Sequence, residues 1–184
     1  MCKKYKKCYY CGLAGHIAKE CPKEKKDSGK LKNIVGEFFE KFVTKKYNCP
    51  NCKSSLRRLA DFTPSCDIVC DTCGQKFEVK SKCLSVKNLP EDIRIKHGNF
   101  NEFQYKLNYQ ELNMFLIIYS YDRKSKTLSV RKIYYLPNRF IKDKTFSVIS
   151  RVGNSEFAKT EIEFTNIPNH LNILNGSVSF RTKA

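Results

Sequence analysis

No apolar run in the 184 residues approaches the ~20 that a membrane-spanning helix needs. The longest, Met114–Ile118, has the length of a strand. The amino terminus, Met-Cys-Lys-Lys-Tyr-Lys-Lys, is basic but leads into no apolar segment, so no secretory signal is expected. Nothing repeats at a solenoid period, and only the charged run Lys23–Gly29 is of low complexity. Acidic residues are scarce: 18 Asp and Glu stand against 35 Lys and Arg, a formal net charge of +17. An excess of that size points to a polyanionic partner, most simply a nucleic acid. Hydrophobic residues still make up 41% of the chain and aromatics 12%, so a packed core is expected rather than wholesale disorder.

Ten cysteines are many for this length. Without a signal segment a secreted disulfide scaffold is not expected, and the cysteine spacing points to zinc instead. Cys2, Cys66 and Cys83 fall outside the zinc patterns and are read as free thiols. An intracellular, reducing compartment follows: the cytoplasm or nucleus of a host cell, or a virus, the Lys- and Asn-heavy composition fitting an AT-rich genome.

Three segments are expected. Residues 1–22 form a small module, 23–30 a flexible charged linker, and 31–184 the main domain. The domain opens with a helix, because Leu31, Ile34, Val35, Phe38, Phe39, Phe42 and Val43 recur on one face over about four turns, with Ser28 as N-cap. Glu37 and Glu40 lie on or beside its polar face and are read as solvated. Beyond residue 47 the pattern becomes strand-like at Ile68–Val69, Phe77–Val79, Met114–Tyr121, Thr127–Tyr135, Phe146–Val152 and Ile162–Phe164. Asp122–Lys126 reads as a hairpin loop and Asn101–Asn113 as a second helix. The last dozen residues carry no assignment. His97 and His170 are read as surface residues. Arg57, Arg58 and the loop Arg123–Lys126 are candidate phosphate contacts, with a solvated face as the equal alternative.

Cys8, Cys11, His16 and Cys21 have the spacing C-x2-C-x4-H-x4-C, which suits a closed tetrahedral zinc site. So short a peptide buries no core, and zinc supplies its folding energy, ~10–16 kcal/mol in comparable peptides. Gly12 and Gly15 allow the chain to wrap around the metal. The segment resembles the zinc knuckles of retroviral nucleocapsids and cellular RNA- or single-strand-binding proteins: all four ligands, both glycines and Pro22 match. The resemblance implies that Tyr9 and Ile17 stack on unpaired bases, worth ~1–3 kcal/mol per base, with lysines such as Lys19 on phosphates. A protein-binding knuckle is the alternative.

Cys49, Cys52, Cys70 and Cys73 form C-x2-C-x17-C-x2-C, a second zinc site of four cysteines. Two dipods with unlike inserts look structural rather than redox-active. A hairpin turning at Cys70–Cys73 would set Asp67 opposite Glu78, and strand alternation puts Lys80 on the same surface as Glu78. Two carboxylates held close repel unless a cation lies between them. Mg²⁺ binds through one or two carboxylates with water and phosphate oxygens, and a neighbouring lysine can orient or deprotonate the attacking water. An exposed charged face on a ribbon hairpin is the plain alternative.

The D-x10-E-x-K arrangement resembles the PD-(D/E)xK nuclease superfamily. Tyr47–Cys52, Asp67–Cys70 and Phe77–Lys82, with Phe115–Ile118 and Ile162–Pro168, together resemble the DpnI group of adenine-methylation-dependent restriction endonucleases, which carry a four-cysteine zinc site spliced into the catalytic hairpin. The similarity extends over residues 31–170. It implies that Asp67 and Glu78 hold the catalytic Mg²⁺ with the Val79 carbonyl, and that Lys80 serves the water. The superfamily sometimes recruits a helix carboxylate as well. Two features depart: Cys66 stands where the superfamily often has proline, and the C-terminal winged helix of the DpnI group is not expected.

The expectation is therefore an α/β protein: a small PD-(D/E)xK restriction-endonuclease-like mixed sheet flanked by helices, with a four-cysteine zinc ribbon at 49–73 and an N-terminal zinc knuckle. It would bind two structural Zn²⁺ and a catalytic Mg²⁺ and cleave double-stranded DNA, with sequence or adenine methylation as the specificity. The knuckle would bind single-stranded DNA or RNA. No membrane partner is expected. A non-catalytic nucleic-acid-binding protein is the alternative.

Overall fold

The computed structural model describes residues 22–60, 66–84, 92–122, 124–143, 146–148, 159–165 and 167–181. The chain divides into two compact units, Met1–Phe38 and Phe39–Ala184. Of the first, helix α1 is described; it runs from Pro22 to Lys46 and so passes the unit boundary. The expected linker at 23–30 is thus helical. Its lysines and glutamates are good helix formers, and Pro22 sits at the first helical position, where its missing N–H costs nothing. Val35, Phe39 and Val43 are buried, but Ile34 is 60% exposed, so the apolar stripe is narrower than the sequence pattern implies.

The second unit is built on a six-stranded mixed sheet and a three-stranded antiparallel sheet among the described residues. The strands are β1 (Arg57–Arg58), β2 (Ile68–Val69), β3 (Lys76–Cys83), β4 (Asp92–Asn99), β5 (Asn113–Asp122), β6 (Thr127–Leu136), β7 (Phe146–Val148), β8 (Lys159–Thr165) and β9 (Val178–Arg181). The large sheet has the order β1-β2-β3-β5-β6-β9 and the small one β4-β8-β7. Helix α2 (Phe100–Tyr109) and the short α3 (Asn138–Lys142) complete the unit.

Strands β3 and β5 run parallel, Phe77 beside Asn113 through Cys83 beside Tyr119. Parallel neighbours need a crossover, supplied here by β4 and α2. β5 is buried from Asn113 to Tyr119, as its unbroken apolar sequence requires. Its alternate side chains serve two cores. Met114, Leu116 and Ile118 join Phe103 and Leu107 of α2, Ile93 and Ile95 of β4, Ile141 of α3 and Phe164 of β8. Phe115 faces the other way, stacking on Phe77 with ring centres 5.2 Å apart, while Tyr119 meets Phe39 of α1 at 5.2 Å. Turn chemistry ends the β5–β6 hairpin: Asp122 accepts bonds from the Lys124 N–H and Ser125 hydroxyl at 2.9 and 2.6 Å, and Lys126 takes a φ of 52°.

Two side-chain amides, Asn113 buried and Asn138 half-buried, fix where β5 begins. Asn113 donates to the Lys76 and Glu111 carbonyls and accepts from the Tyr135 hydroxyl and the Asn138 N–H. The Asn138 amide donates in turn to the Leu107 and Leu112 carbonyls. These bonds tie the start of β3, the end of α2 and the start of α3 to one point, beside the segment that carries Glu78.

Candidate active site and zinc centre

The segment between α1 and β3 is organised by two matching cysteine turns, one before β1 and one after β2. Cys49 N–H donates to Ser54 O, and Lys53 N–H returns to Cys49 O. In the second turn Cys70 N–H donates to Gln75 O, and Gly74 N–H returns to Cys70 O. Each turn closes on a residue with positive φ, Lys53 at 64° and Gly74 at 70°. Glycine adopts that conformation freely; at Lys53 the closing bonds hold a side-chain-bearing residue in it.

These turns bring the four sulfurs of Cys49, Cys52, Cys70 and Cys73 within 4.8 Å of one another. Cys49 and Cys73 are 3.6 Å apart and Cys52 and Cys70 3.4 Å. The edge of a tetrahedral Zn–S₄ site is ~3.8 Å, so the donor set fits zinc. As thiols the four are unequal. Burial pushes Cys49 up to about 12, while hydrogen bonding to Ser54 draws Cys52 down to about 6. Among the described residues this is the one cluster of three or more such donors.

β2 and β3 emerge from the second turn with Ile68 opposite Phe77 and Val69 opposite Lys76. The same register carries Asp67 to Glu78. Asp67 is fixed from three sides: its N–H donates to Phe77 O at 3.1 Å, its carbonyl accepts from Leu59 N–H at 2.9 Å, and its Oδ2 accepts from Val79 N–H at 2.7 Å. The N–H and C=O of one strand residue point to the same edge, so the Val79 carbonyl faces the Asp67 side as well. Glu78 is only 6% exposed, which rules out an exposed charged face. Lys80 lies beside it, Nζ to Oε1 2.5 Å.

The electrostatics follow from that crowding. Burial, then the charge of Glu78, raises Asp67 to about 6, against the opposing pull of the Val79 N–H and Lys80. Burial by itself would lower the Lys80 ammonium, but Glu78, Asp67 and Glu40 outweigh it and hold Lys80 above the ordinary lysine value. Lys80 is therefore a cation and a donor at neutral pH. The Asp67–Glu78 pair, Glu78 buried and Asp67 half-buried, is an anionic site with a carbonyl at its edge, a donor set that fits a hard divalent cation.

Glu40 is not the solvated residue its helical position implies. Its Oε2 accepts from Arg58 Nε at 2.6 Å, both side chains about one-fifth exposed, and its charge acts on both Asp67 and Lys80. Arg57 is also engaged, by a two-point contact with Asp71 at 2.7 and 2.8 Å. Arg57 nevertheless stays exposed, whereas Arg58 is about one-fifth exposed. Glu37 is exposed and so is His170; Cys66 is buried in the core and Cys83 is exposed. The knuckle residues Cys8, Tyr9, Cys11, His16, Ile17, Lys19 and Cys21, with Cys2, Arg123 and the side chain of His97, lie outside the described residues.

The model of the DpnI family, the Dam-replacing family, matches residues 17–175. The chain belongs to the DpnI family. The zinc-knuckle model matches residues 6–23, over the module formed by Cys8, Cys11, His16 and Cys21. No curated protein matches the chain. DpnI-family membership points to a nuclease of restriction-enzyme type, and the knuckle points to nucleic-acid binding. The Asp67, Glu78, Lys80 and four-cysteine group all fall inside the DpnI-family match. No described helix is long and apolar enough to cross a membrane.

Proposed function

We propose that this chain is a Mg²⁺-dependent DNA endonuclease of PD-(D/E)xK type, with Asp67, Glu78 and Lys80 at its centre and a zinc knuckle as an added grip on nucleic acid. The observation that carries this reading is the pair of Glu78, buried, and Asp67, half-buried, held face to face by the hairpin that the four cysteines close, with Lys80 2.5 Å from Glu78. Two carboxylates held side by side repel, and the single charge of Lys80 offsets only one of them, which leaves the pair a place for a further cation.

A divalent cation held by Asp67, Glu78 and the Val79 carbonyl would polarise the scissile phosphate and acidify a bound water. The protein's part is positioning. Val79 N–H aims the Asp67 carboxylate, and the β2–β3 hairpin fixes its separation from Glu78. Lys80, kept protonated by its neighbours, orients the attacking water and donates to the charge that builds on the phosphoryl oxygens. Cys49, Cys52, Cys70 and Cys73 would hold a structural zinc that closes the hairpin between the two carboxylates, and with four protein ligands it would leave no position for substrate.

Double-stranded DNA is the substrate this reading favours, with +17 of charge to draw it in. The knuckle supports an additional single-stranded DNA or RNA contact through Tyr9, Ile17 and Lys19. Plasmid DNA with and without adenine methylation, incubated with zinc-loaded full-length protein and Mg²⁺, tests the proposal. Linearised or fragmented plasmid is expected, with no product when Mg²⁺ is omitted. A folded protein that binds both plasmids and cuts neither would leave the non-catalytic reading in its place.

A further inference from the structure

Helix α2 carries an exposed aromatic pair that the catalytic account does not use. Tyr105 is 55% exposed and Tyr109 76%, one helical turn apart, with ring centres 5.2 Å apart and planes at 35°. Among the described residues, Ile34 is the one other large hydrophobic side chain so exposed. The opposite face of α2 packs Phe103 and Leu107 into the core with Met114 and Leu116. Met114 and Leu116 are the β5 partners of Glu78 and Lys80, so all four side chains share one face of the large sheet. The tyrosines thus ride on the helix that covers the sheet face bearing the carboxylate site.

They also stand at the right end of it. Tyr109 precedes Asn113 by four residues and Asn113 pairs with Phe77, so Tyr109 is within about 20 Å of the β3 backbone beside Glu78. That span corresponds to about six base-pair steps of duplex. Next to α2, α3 is anchored by the Asn138 bond to Leu107 O and carries the exposed Arg139 and Lys142. Two exposed phenol rings tilted against each other, with the exposed Arg139 and Lys142 on the neighbouring α3 and a chain charge of +17, fit a polyanion that also offers flat apolar surfaces.

Building on the endonuclease reading, we propose that Tyr105 and Tyr109 form a stacking contact for the DNA substrate beside the cut site, taking up the bases or sugars of one strand while Arg139 and Lys142 meet its phosphates. The contact belongs to substrate binding and not to the chemical step. Removing the rings then weakens the ground-state and transition-state complexes alike, raising KM and leaving kcat.

The test is a binding titration of duplex DNA in Ca²⁺ beside a cleavage series in Mg²⁺, for the full-length parent, Tyr105→Ala/Tyr109→Ala and Tyr105→Phe/Tyr109→Phe. Loss of stacking is expected to weaken binding by about 5- to 100-fold in the alanine pair. KM should rise in parallel at constant kcat, the phenylalanine pair should restore most of the affinity, and the salt slope should be unchanged because no charge is lost. The substitutions lie on an exposed face, so an unchanged melting temperature verifies the fold. Parental affinity and KM in the alanine pair would overturn the contact while leaving the endonuclease reading intact. A parent that binds without cutting, with tyrosine-dependent affinity, would uphold the contact and defeat the endonuclease reading. Altered self-association in the alanine pair, with DNA affinity unchanged, would assign the rings to a protein interface and overturn the proposal.

Discussion

Asp67→Asn should stabilise the protein in the absence of Mg²⁺ while abolishing cleavage. In the folded chain Asp67 titrates at about 6 instead of its ordinary 3.8, because burial and Glu78 oppose its charge. That value already includes the help of the Val79 N–H and Lys80, and asparagine retains an acceptor for the Val79 bond of 2.7 Å. A shift of roughly two units at ~1.4 kcal/mol each puts the cost of holding Asp67 ionised at about 3 kcal/mol. The sign with pH is fixed. Below the unfolded value near 3.8 Asp67 is protonated in both states and the cost is absent; it grows as pH rises to about 6 and is constant above. Thermal unfolding of zinc-loaded parent and variant, without chelator because chelators strip zinc, should show the variant melting roughly 6–12 °C higher at pH 7.5 and level with the parent near pH 3.5. Added Mg²⁺ should raise the parent's melting temperature more than the variant's. A variant that melts below the parent at pH 7.5, or a difference that does not change with pH, would refute the reasoning.

Three further outcomes follow from the same geometry. Cys73→Ser breaks the closed sulfur set and should lose zinc, lower stability and impair cleavage together; a variant without zinc that keeps parental stability and activity would contradict a structural metal. Lys80→Ala should retain DNA binding in Ca²⁺ and depress the cleavage rate by about 10²–10⁴-fold, because its donation counts in the transition state; equal losses in affinity and none in rate would place it in binding instead. Cys11→Ser, which opens the knuckle in the full chain, should weaken affinity for single-stranded nucleic acid and leave turnover at saturating duplex close to parental, as measured by fluorescence anisotropy and single-turnover cleavage.

Much of the β2–β3 hairpin was legible because its determinants are local. Cysteine dipods fix the turn, the turn fixes the register, and alternation along β3 separates Phe77 from Glu78 and Lys80. The hairpin loop at Asp122–Lys126 was legible for the same reason. Less local features were not. β4, with the sequence Asp-Ile-Arg-Ile-Lys-His-Gly-Asn, is interrupted by charge, and β9, with Val-Ser-Phe-Arg, is short; both gain strand structure from partners remote in sequence. The segment 23–30 looked like a linker by charge, but lysine and glutamate favour helix once Pro22 starts one. Glu40 looked solvated from its helical position; only Arg58, 18 residues away on β1, turns it inward. Asn113 gave no signal, since nothing adjacent in sequence shows that its amide will meet Lys76, Tyr135 and Asn138.

The central claim, that Asp67 and Glu78 form a metal-dependent cleavage centre, is tested most directly at Glu78. Glu78→Gln keeps the size of the side chain and removes its charge. Single-turnover cleavage of adenine-methylated and unmethylated duplex by parent and variant in Mg²⁺, with duplex affinity in Ca²⁺ measured alongside, is the deciding measurement. The account predicts cleavage by the parent and none above background by Glu78→Gln, with variant affinity at or above the parent's because a negative charge beside the phosphates is gone. Cleavage by Glu78→Gln at the parental rate would contradict it.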